Sequence, residues 1–315
     1  MTVDPRTRKA VDGSATALMV VLCLVWGLQQ VAIKVVAADI APVLQVALRS
    51  GASALLVWLF SRLIAGDAWL SGIGLAPKLL VATLFAAEFV FVTEGLRWTT
   101  ASHMAVFLYT APIFAAIGLH LKLPDERLAS PQWIGISLAF AGIVITFLAP
   151  HGRAVVVDPA SPDWLLGDLM GLCGGLAWGL TTVAIRLSRL NDAPATQTLF
   201  YQLIGAFALL LPFSLATGQG AFHGTALAWA SLGFQTLAVS FASYLAWFWL
   251  LRRYLAARLG VLSFMSPLFG VSFGAILLRE RLDTAFLAGS ALVLLGLVVV
   301  NGHGWLRQIL VPTLD

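Results

Sequence analysis

The sequence predicts an all-α integral membrane protein of ten transmembrane helices, arranged as two inverted five-helix repeats. Three observations carry this reading. Of 315 residues, 60% are hydrophobic and only 11% charged; the apolar runs have membrane-spanning length; and the two halves resemble each other. A soluble domain of this size has too little interior to hide so much apolar surface. About 20 apolar residues cross a bilayer as a helix, so ten crossings use about 200 residues and leave short loops. The alternating ten-residue segments of a β-barrel are absent.

Reading apolar runs between charged or Pro/Gly punctuation places helices near 14–38, 42–64, 76–95, 99–120, 130–149, 164–189, 195–217, 226–250, 256–278 and 284–304. Ser130-Pro131 opens the fifth, with Ser as N-cap and Pro as first helical residue; Asp283 or Thr284 caps the tenth. The polar, basic start (Arg6, Arg8, Lys9) precedes an apolar run without a small-residue cleavage site, so no signal peptide is expected. The two cysteines, Cys23 and Cys173, fall inside apolar runs, against a disulfide framework or a metal site.

Positive charge sets the orientation. Thirteen Lys and Arg residues lie on the amino-terminal side of the spans and five on the other, with Arg49 inside a span. The bias puts both termini in the cytoplasm. The predicted organisation is a cytoplasmic tail (1–13), a first five-helix repeat (14–150), a periplasmic linker (151–163), a second repeat (164–304) and a cytoplasmic tail (305–315). The net charge of +4 is too small and scattered for nucleic-acid binding, and no GxxxxGK[ST] loop is present to cradle phosphate.

The internal repeat is read directly from residues. Trp26-Gly27-Leu28 and Val31-Ala32-Ile33-Lys34 return, shifted by 152, as Trp178-Gly179-Leu180 and Val183-Ala184-Ile185-Arg186. At that shift Ala41-Pro42 meets Ala193-Pro194, and Gln45 meets Gln197. Ala111-Pro112-Ile113-Phe114 matches Ser266-Pro267-Leu268-Phe269 at 155. Glu126-Arg127-Leu128, Gly135 and Gly142 match Glu280-Arg281-Leu282, Gly289 and Gly296 at 154. An odd number of spans per repeat turns the second copy upside down, a recurring plan of secondary transporters that hold substrate near the midplane, at the repeat interface.

These paired tryptophan-glycine helices, fourth-span prolines, and Glu-Arg-Leu segments followed by spaced glycines make the chain resemble the drug/metabolite transporter superfamily. The resemblance is to its ten-helix branch with two EamA-type repeats and covers residues 14–304. It implies a bacterial inner-membrane exporter of amino acids, metabolites or drugs, and the chain looks most like the aromatic amino acid exporters. Family members often carry an Arg in the second helix of each half. Arg49 fits that pattern, whereas its counterpart here is Tyr201.

Polar groups inside a bilayer are costly, with Arg or Asp at mid-helix costing about 2.5–3.5 kcal/mol, so each needs a reason. Glu88 or His103 is expected to bind polar groups of a substrate or to exchange protons; alternatively Arg49 pairs statically with a glutamate, Glu94 foremost. Gln29 and Gln30, with counterparts Thr181 and Thr182, sit mid-span and serve either substrate or interhelical bonding. Trp26 and Trp178 lie one turn away. Tyr109, Tyr201, Gln202, Ser243, Tyr244 and Trp247 are the deeper polar and aromatic residues and complete the cavity set, each also readable as packing. Trp69, Trp98, Trp133, Trp164, Trp229 and Trp305 lie near span ends and read as interfacial belts. Pro112 and Pro267 each free a backbone carbonyl and are expected to hinge the fourth and ninth helices as gates.

The predicted function is export of small amphiphilic metabolites, neutral or aromatic amino acids first, by alternating access, as a uniporter or with protons. The alternative is export or import of drugs, purines or other metabolites. An intramembrane enzyme would need a converging constellation such as HExxH or paired aspartates, which the sequence lacks. No catalytic residue, metal or cofactor is expected; the expected partners are the small-molecule substrate, the lipid bilayer and protons.

Overall fold

Long runs of Leu, Val, Ala and Phe can satisfy their backbone in lipid only as helices. The computed structural model describes residues 12–124, 127–148, 163–254, 259 and 262–310, and among these no strand occurs, only isolated bridge residues such as the Ile40–Phe222 pair. The first half holds α1 (Gly13–Val35), α2 (Pro42–Phe60, continued by a π-helical turn, Ser61–Ala65), α3 (Leu75–Gly95), α4 (Ala101–Leu108), α5 (Ala111–Lys122) and α6 (Ser130–Leu148). The second holds α7 (Asp163–Arg186), α8 (Ala195–Ala216), α9 (Ala226–Gly233), a π-helical stretch (Phe234–Ser243), α10 (Tyr244–Arg253), α11 (Met265–Leu277) and α12 (Thr284–Leu310).

Among the described residues, seven stretches are long and apolar enough to cross a membrane: Gly13–Val35, Pro42–Ala65, Leu75–Gly95, Ala101–Lys122, Trp164–Arg186, Ala195–Ala216 and Ala226–Leu250. Ser130–Thr146, Met265–Leu277 and Thr284–Val300 are shorter apolar helices. All ten fall on the apolar runs read from the sequence.

Two boundaries and one cap differ most. The ninth helix is described from Met265, not 256; residues 255–258, 260 and 261 lie outside the described residues. Helix α12 continues to Leu310, so positions 305–310, expected as tail, are helical. Helix α6 starts at Ser130 itself, and the Gln132 side chain accepts the Ala129 amide at 3.0 Å, where Ser130 was expected to cap. At α12 the expected cap forms, with Asp283 accepting from the Phe286 amide at 2.7 Å. The tail before Asp12, Glu126, most of the linker (149–162) and residues 311–315 lie outside the described residues.

Two helix breaks shape the interior. Pro112 stands in the first turn of α5, directly after a turn at Tyr109–Thr110 that separates it from α4. Pro267 occupies the first turn of α11, after a turn at Phe264. Proline is tolerated there because first-turn amides have no intrahelical partner.

Glycines bring the halves into contact. A Cβ on Gly142 would stand 2.5 Å from the Gly289 carbonyl oxygen, and one on Gly135 would stand 2.7 Å from that of Gly296, so α6 and α12 touch backbone to backbone. Gly27 of α1 meets Phe269 and Gly270 of α11, and its repeat mate Gly179 of α7 meets Ala111 and Phe114 of α5. The two halves therefore interleave, and the core around Phe85, Phe89, Leu199 and Leu203 is shared between them.

Candidate functional site

The end of the bundle holding the turns around 36–41, 96–100 and 217–225 is called the far end here; the opposite one, with Asp12, Gly72 and Arg189, is the near end. Between them, residues from both halves converge on a few buried polar groups. Arg49 (1% exposed) comes from α2 and Glu88 (6% exposed) from α3. They lie within electrostatic reach of each other, but no nitrogen–oxygen pair closes to ion-pair distance. Tyr244 of α10 is within the same reach of both, and Tyr109, at the α4–α5 break, of Glu88 and Tyr244.

Arg49 is held from two sides. Its guanidinium carbon stands 4.5 Å from the centroid of the Phe89 ring, a cation–π contact. Its Nη1 donates to Gln235 Oε1 at 3.5 Å. Gln235 in turn donates to Gln45 Oε1 at 2.8 Å and to Ser231 at 3.1 Å, and Gln45 donates to the carbonyls of Ile33 and Ile40. The arginine is thereby oriented by a chain of amides that ends at the α1–α2 corner. Arg49 Nε and Glu88 Oε2 are buried and make no hydrogen bond, and neither does Gln30 Oε1. Leaving such donors and acceptors unmet costs about 1–3 kcal/mol each, more for charged groups.

Aromatic groups surround this polar centre symmetrically. Trp26 donates its indole N–H to Ser243 at 2.8 Å and meets Trp247 edge-on at 5.7 Å. Its repeat mate Trp178 meets Tyr109 edge-on at 5.4 Å. At the shift of 155 that relates the two proline breaks, Glu88-Phe89 corresponds to Ser243-Tyr244. The first half thus supplies both charges and the second supplies hydroxyls and rings at the matching places. Ser266, next to Pro267, lies beside Tyr109 and Cys23.

The residues predicted from sequence divide into two groups. Trp26, Glu88, Tyr109, Trp178, Ser243, Tyr244 and Trp247 are brought together. Gln29 and Gln30 are buried one helical turn along α1 from Trp26. The others go elsewhere. Thr182 is exposed and turns its hydroxyl back on the Trp178 carbonyl. Tyr201 packs at the near end against Trp69 (6.1 Å) and under Lys78 (5.1 Å), and receives a bond from Gln197 at 3.0 Å. Gln202 is buried in α8. His103 sits at the far end, 2.9 Å from Asp168 and stacked on Phe286 at 4.1 Å. The expected Arg49–Glu94 pair does not form: Glu94 binds Arg97 at 2.6 Å and Gln219 at 2.8 Å, because the last turn of α3 points it at the far-end loops. Sequence reading missed Gln235 and Asp168. Each lies in a largely apolar run, with no identical residue at the repeat-related position in the other half.

The far end carries a cavity of about 310 Å³ lined by Lys34, Asp39, Arg97 and Gln219 among others. Beside it, through Lys34, the two halves are tied together. Glu280 accepts from the amides of Ala101 (2.7 Å) and Ser102 (3.0 Å) and from the Ser102 hydroxyl (2.6 Å), where an anion suits the first turn of a helix. Lys34 approaches Glu280 at 3.7 Å and donates to the Thr99 carbonyl at 2.7 Å. The Thr99 hydroxyl donates to Asp168. At the near end, the Tyr254 hydroxyl donates to Asp12 at 3.0 Å, so each hydroxyl–aspartate tie joins the segment before a broken helix to the start of the first helix of the other half.

Comparison with known proteins agrees with this architecture. A protein of solved crystal structure superposes with a TM-score of 0.66 at 17% identity, covering 95% of this chain and 99% of its own, which establishes likeness of fold alone. The Bacillus subtilis uncharacterized transporter YoaV is 24% identical over 276 residues, 87% of this chain and 92% of its own. Two proteins named "Probable amino-acid metabolite efflux pump" are each 26% identical. The Salmonella typhimurium one covers 91% of this chain and 94% of itself, the Escherichia coli one 95% and 97%. Residues 13–148 and 165–302 each match the EamA-like transporter family. A helical bundle built from two such repeats is a multi-pass membrane transporter of small metabolites, not an enzyme, and the chain belongs to the EamA-like transporter family.

Proposed function

We propose that this transporter exports small amphiphilic metabolites, neutral and aromatic amino acids foremost, by alternating access at the interface between its repeats. In this reading ten helices cross the bacterial inner membrane, both termini are cytoplasmic and the far-end cavity opens to the periplasm. The observation that carries the proposal is the convergence of Arg49, Glu88, Tyr109 and Tyr244 between breaks in repeat-related helices. Discontinuous helices at a repeat interface are the usual setting of a carrier's substrate site.

An aromatic wall around a polar centre suits a solute with one apolar body and one polar end. Residues 13–148 and 165–302, the two family matches, supply the two moving units; the tail, the linker and the C-terminal residues act as connectors. Pro112 and Pro267 serve as the bending points, since each follows a turn that interrupts its helix. Glu88 is the residue positioned to link transport to protons. The names carried by the Salmonella and Escherichia relatives support an amino acid substrate.

The test is counterflow of labelled tryptophan, phenylalanine, threonine and a purine into liposomes holding the purified protein, with and without a pH gradient. Saturable exchange of the amino acids is the expected result. Exchange of the purine alone would replace the substrate, and silence for all four would remove the proposal. Loss of proton dependence in the residual transport of Glu88→Gln, measured at substrate levels high enough to offset weaker binding, is expected if protons are coupled.

A further inference from the structure

Two opposite charges buried side by side usually neutralise each other. Here they do not touch. Arg49 packs on Phe89, the neighbour of Glu88 in the chain, and lies within electrostatic reach of Glu88 without reaching ion-pair distance; each keeps an unpartnered polar atom, Nε on the first and Oε2 on the second. We propose that the two together read a zwitterion, Arg49 taking the carboxylate and Glu88 the ammonium of one free α-amino acid. The inference rests on the carrier reading above and specifies how its substrate is recognised.

Three features favour a zwitterion over other solutes. The first is charge balance. A cation on Glu88 would leave Arg49 buried without a counter-charge, and an anion on Arg49 would leave Glu88 so unless it took up a proton; a zwitterion compensates both with no proton needed. The second is the orientation of Arg49. Phe89 covers one face of the guanidinium and Gln235 holds Nη1, which leaves the Nε edge for an incoming group. That edge suits the two-point geometry by which arginine grips a carboxylate. The third is the wall. Tyr109, which meets Trp178 edge-on, and Tyr244 lie within electrostatic reach of Glu88 and offer rings to an apolar side chain and hydroxyls to its polar end. Arg49 has no charged repeat mate, since the matching position is Tyr201, and Glu88 is matched by Ser243. The site therefore holds one zwitterion in one orientation.

The test uses purified full-length protein and three ligands of one shape: phenylalanine, phenethylamine and 3-phenylpropionate, with binding followed by displacement of labelled phenylalanine. The wild type is expected to prefer phenylalanine over either singly charged analogue by about thirtyfold or more, the effect of leaving one partner of a buried charge pair unmatched. Glu88→Gln should reverse part of this, weakening phenylalanine while improving 3-phenylpropionate. Arg49→Gln should do the opposite and improve phenethylamine. A wild type that binds all three equally would overturn the proposal without needing any variant. So would a Glu88→Gln protein with an unchanged order of ligands, which would leave Glu88 a proton carrier only. Robust purine counterflow with no phenylalanine binding would sink this inference while the carrier reading stands; no counterflow of any solute would sink both.

Discussion

Glu280 and Ser102 are joined at two points although 178 residues separate them: one carboxylate oxygen accepts both the amide and the hydroxyl of the serine. The contact ties the loop before α12 to the start of α4 and so fastens the two halves at the far end. Removing the carboxylate strands two backbone donors and takes the counter-charge from Lys34. Glu280→Ala is expected to lower stability by about 1–3 kcal/mol. It should also raise maleimide labelling of a cysteine placed at Leu96, which is 4% exposed, in a background with Cys23 and Cys173 replaced by alanine. Labelling that stays at the wild-type rate would show that the tie does not hold this end closed.

Arg279, next in line, has φ +55°, the left-handed region that non-glycine residues avoid. It stands just past α11, where the Glu280 amide turns back to the Gly274 carbonyl at 3.2 Å, and glycine is the residue most often found at such a position. Arg279→Gly should therefore raise the thermal midpoint, by up to about 1–2 kcal/mol in free energy. A fall would mean that the arginine side chain contributes more than its backbone costs.

Helices α6 and α12 meet through Gly142 and Gly289 with no space for a side chain. Gly142→Val must separate them, and overpacking of this kind costs about 1–3 kcal/mol. The expected reading is an earlier, broader loss of the monodisperse peak after heating in detergent. Gly13, whose added Cβ would meet nothing within 4 Å, is the control: Gly13→Ala should leave that peak unchanged.

Pro112→Ala and Pro267→Ala offer an amide where the helix is now interrupted and favour continuation of the preceding turn. Both variants are expected to fold and to exchange substrate more slowly. Wild-type counterflow rates in both would exclude these breaks as bending points.

Asp12 caps α1 and its carboxyl is held below the usual carboxylate range, chiefly by the Ala15 amide and then by the Ser14 hydroxyl. A carboxylate depressed in the folded state adds stability at neutral pH and loses that addition as pH falls through its folded value. The advantage of wild type over Asp12→Asn in thermal midpoint should thus be present at pH 7 and fade below about pH 4. A gap that stays constant across that range would assign the effect to cap geometry instead of charge.

Much of this architecture was legible because lipid leaves few choices. Apolar run length located the helices, and Pro112 and Pro267 marked the two breaks. What sequence could not supply was rotation about each helix axis. Glu88 and Glu94 lie six residues apart on α3, yet one faces the centre and the other the far-end loops. The same limit misled the symmetry argument. Trp26 and Trp178 both reach the centre, whereas Thr182 turns outward and Tyr201 sits at the near end, since a repeat preserves backbone position more faithfully than side-chain use. His103 read as a substrate or proton group because it is a polar residue within a span; its place in the first turn of α4, opposite Asp168, depends on a partner from the other half.

The ten π-helical residues Phe234–Ser243 carry a mechanical consequence. A helix wound this widely packs more chain into a given length than an α-helix does, so it stores slack. Gln235, which steadies Arg49, and Ser243, which holds Trp26, lie at opposite ends of that coil. Tightening it would pay out chain and turn one anchor relative to the other, so Arg49 and Trp26 are joined by a spring, not a rod.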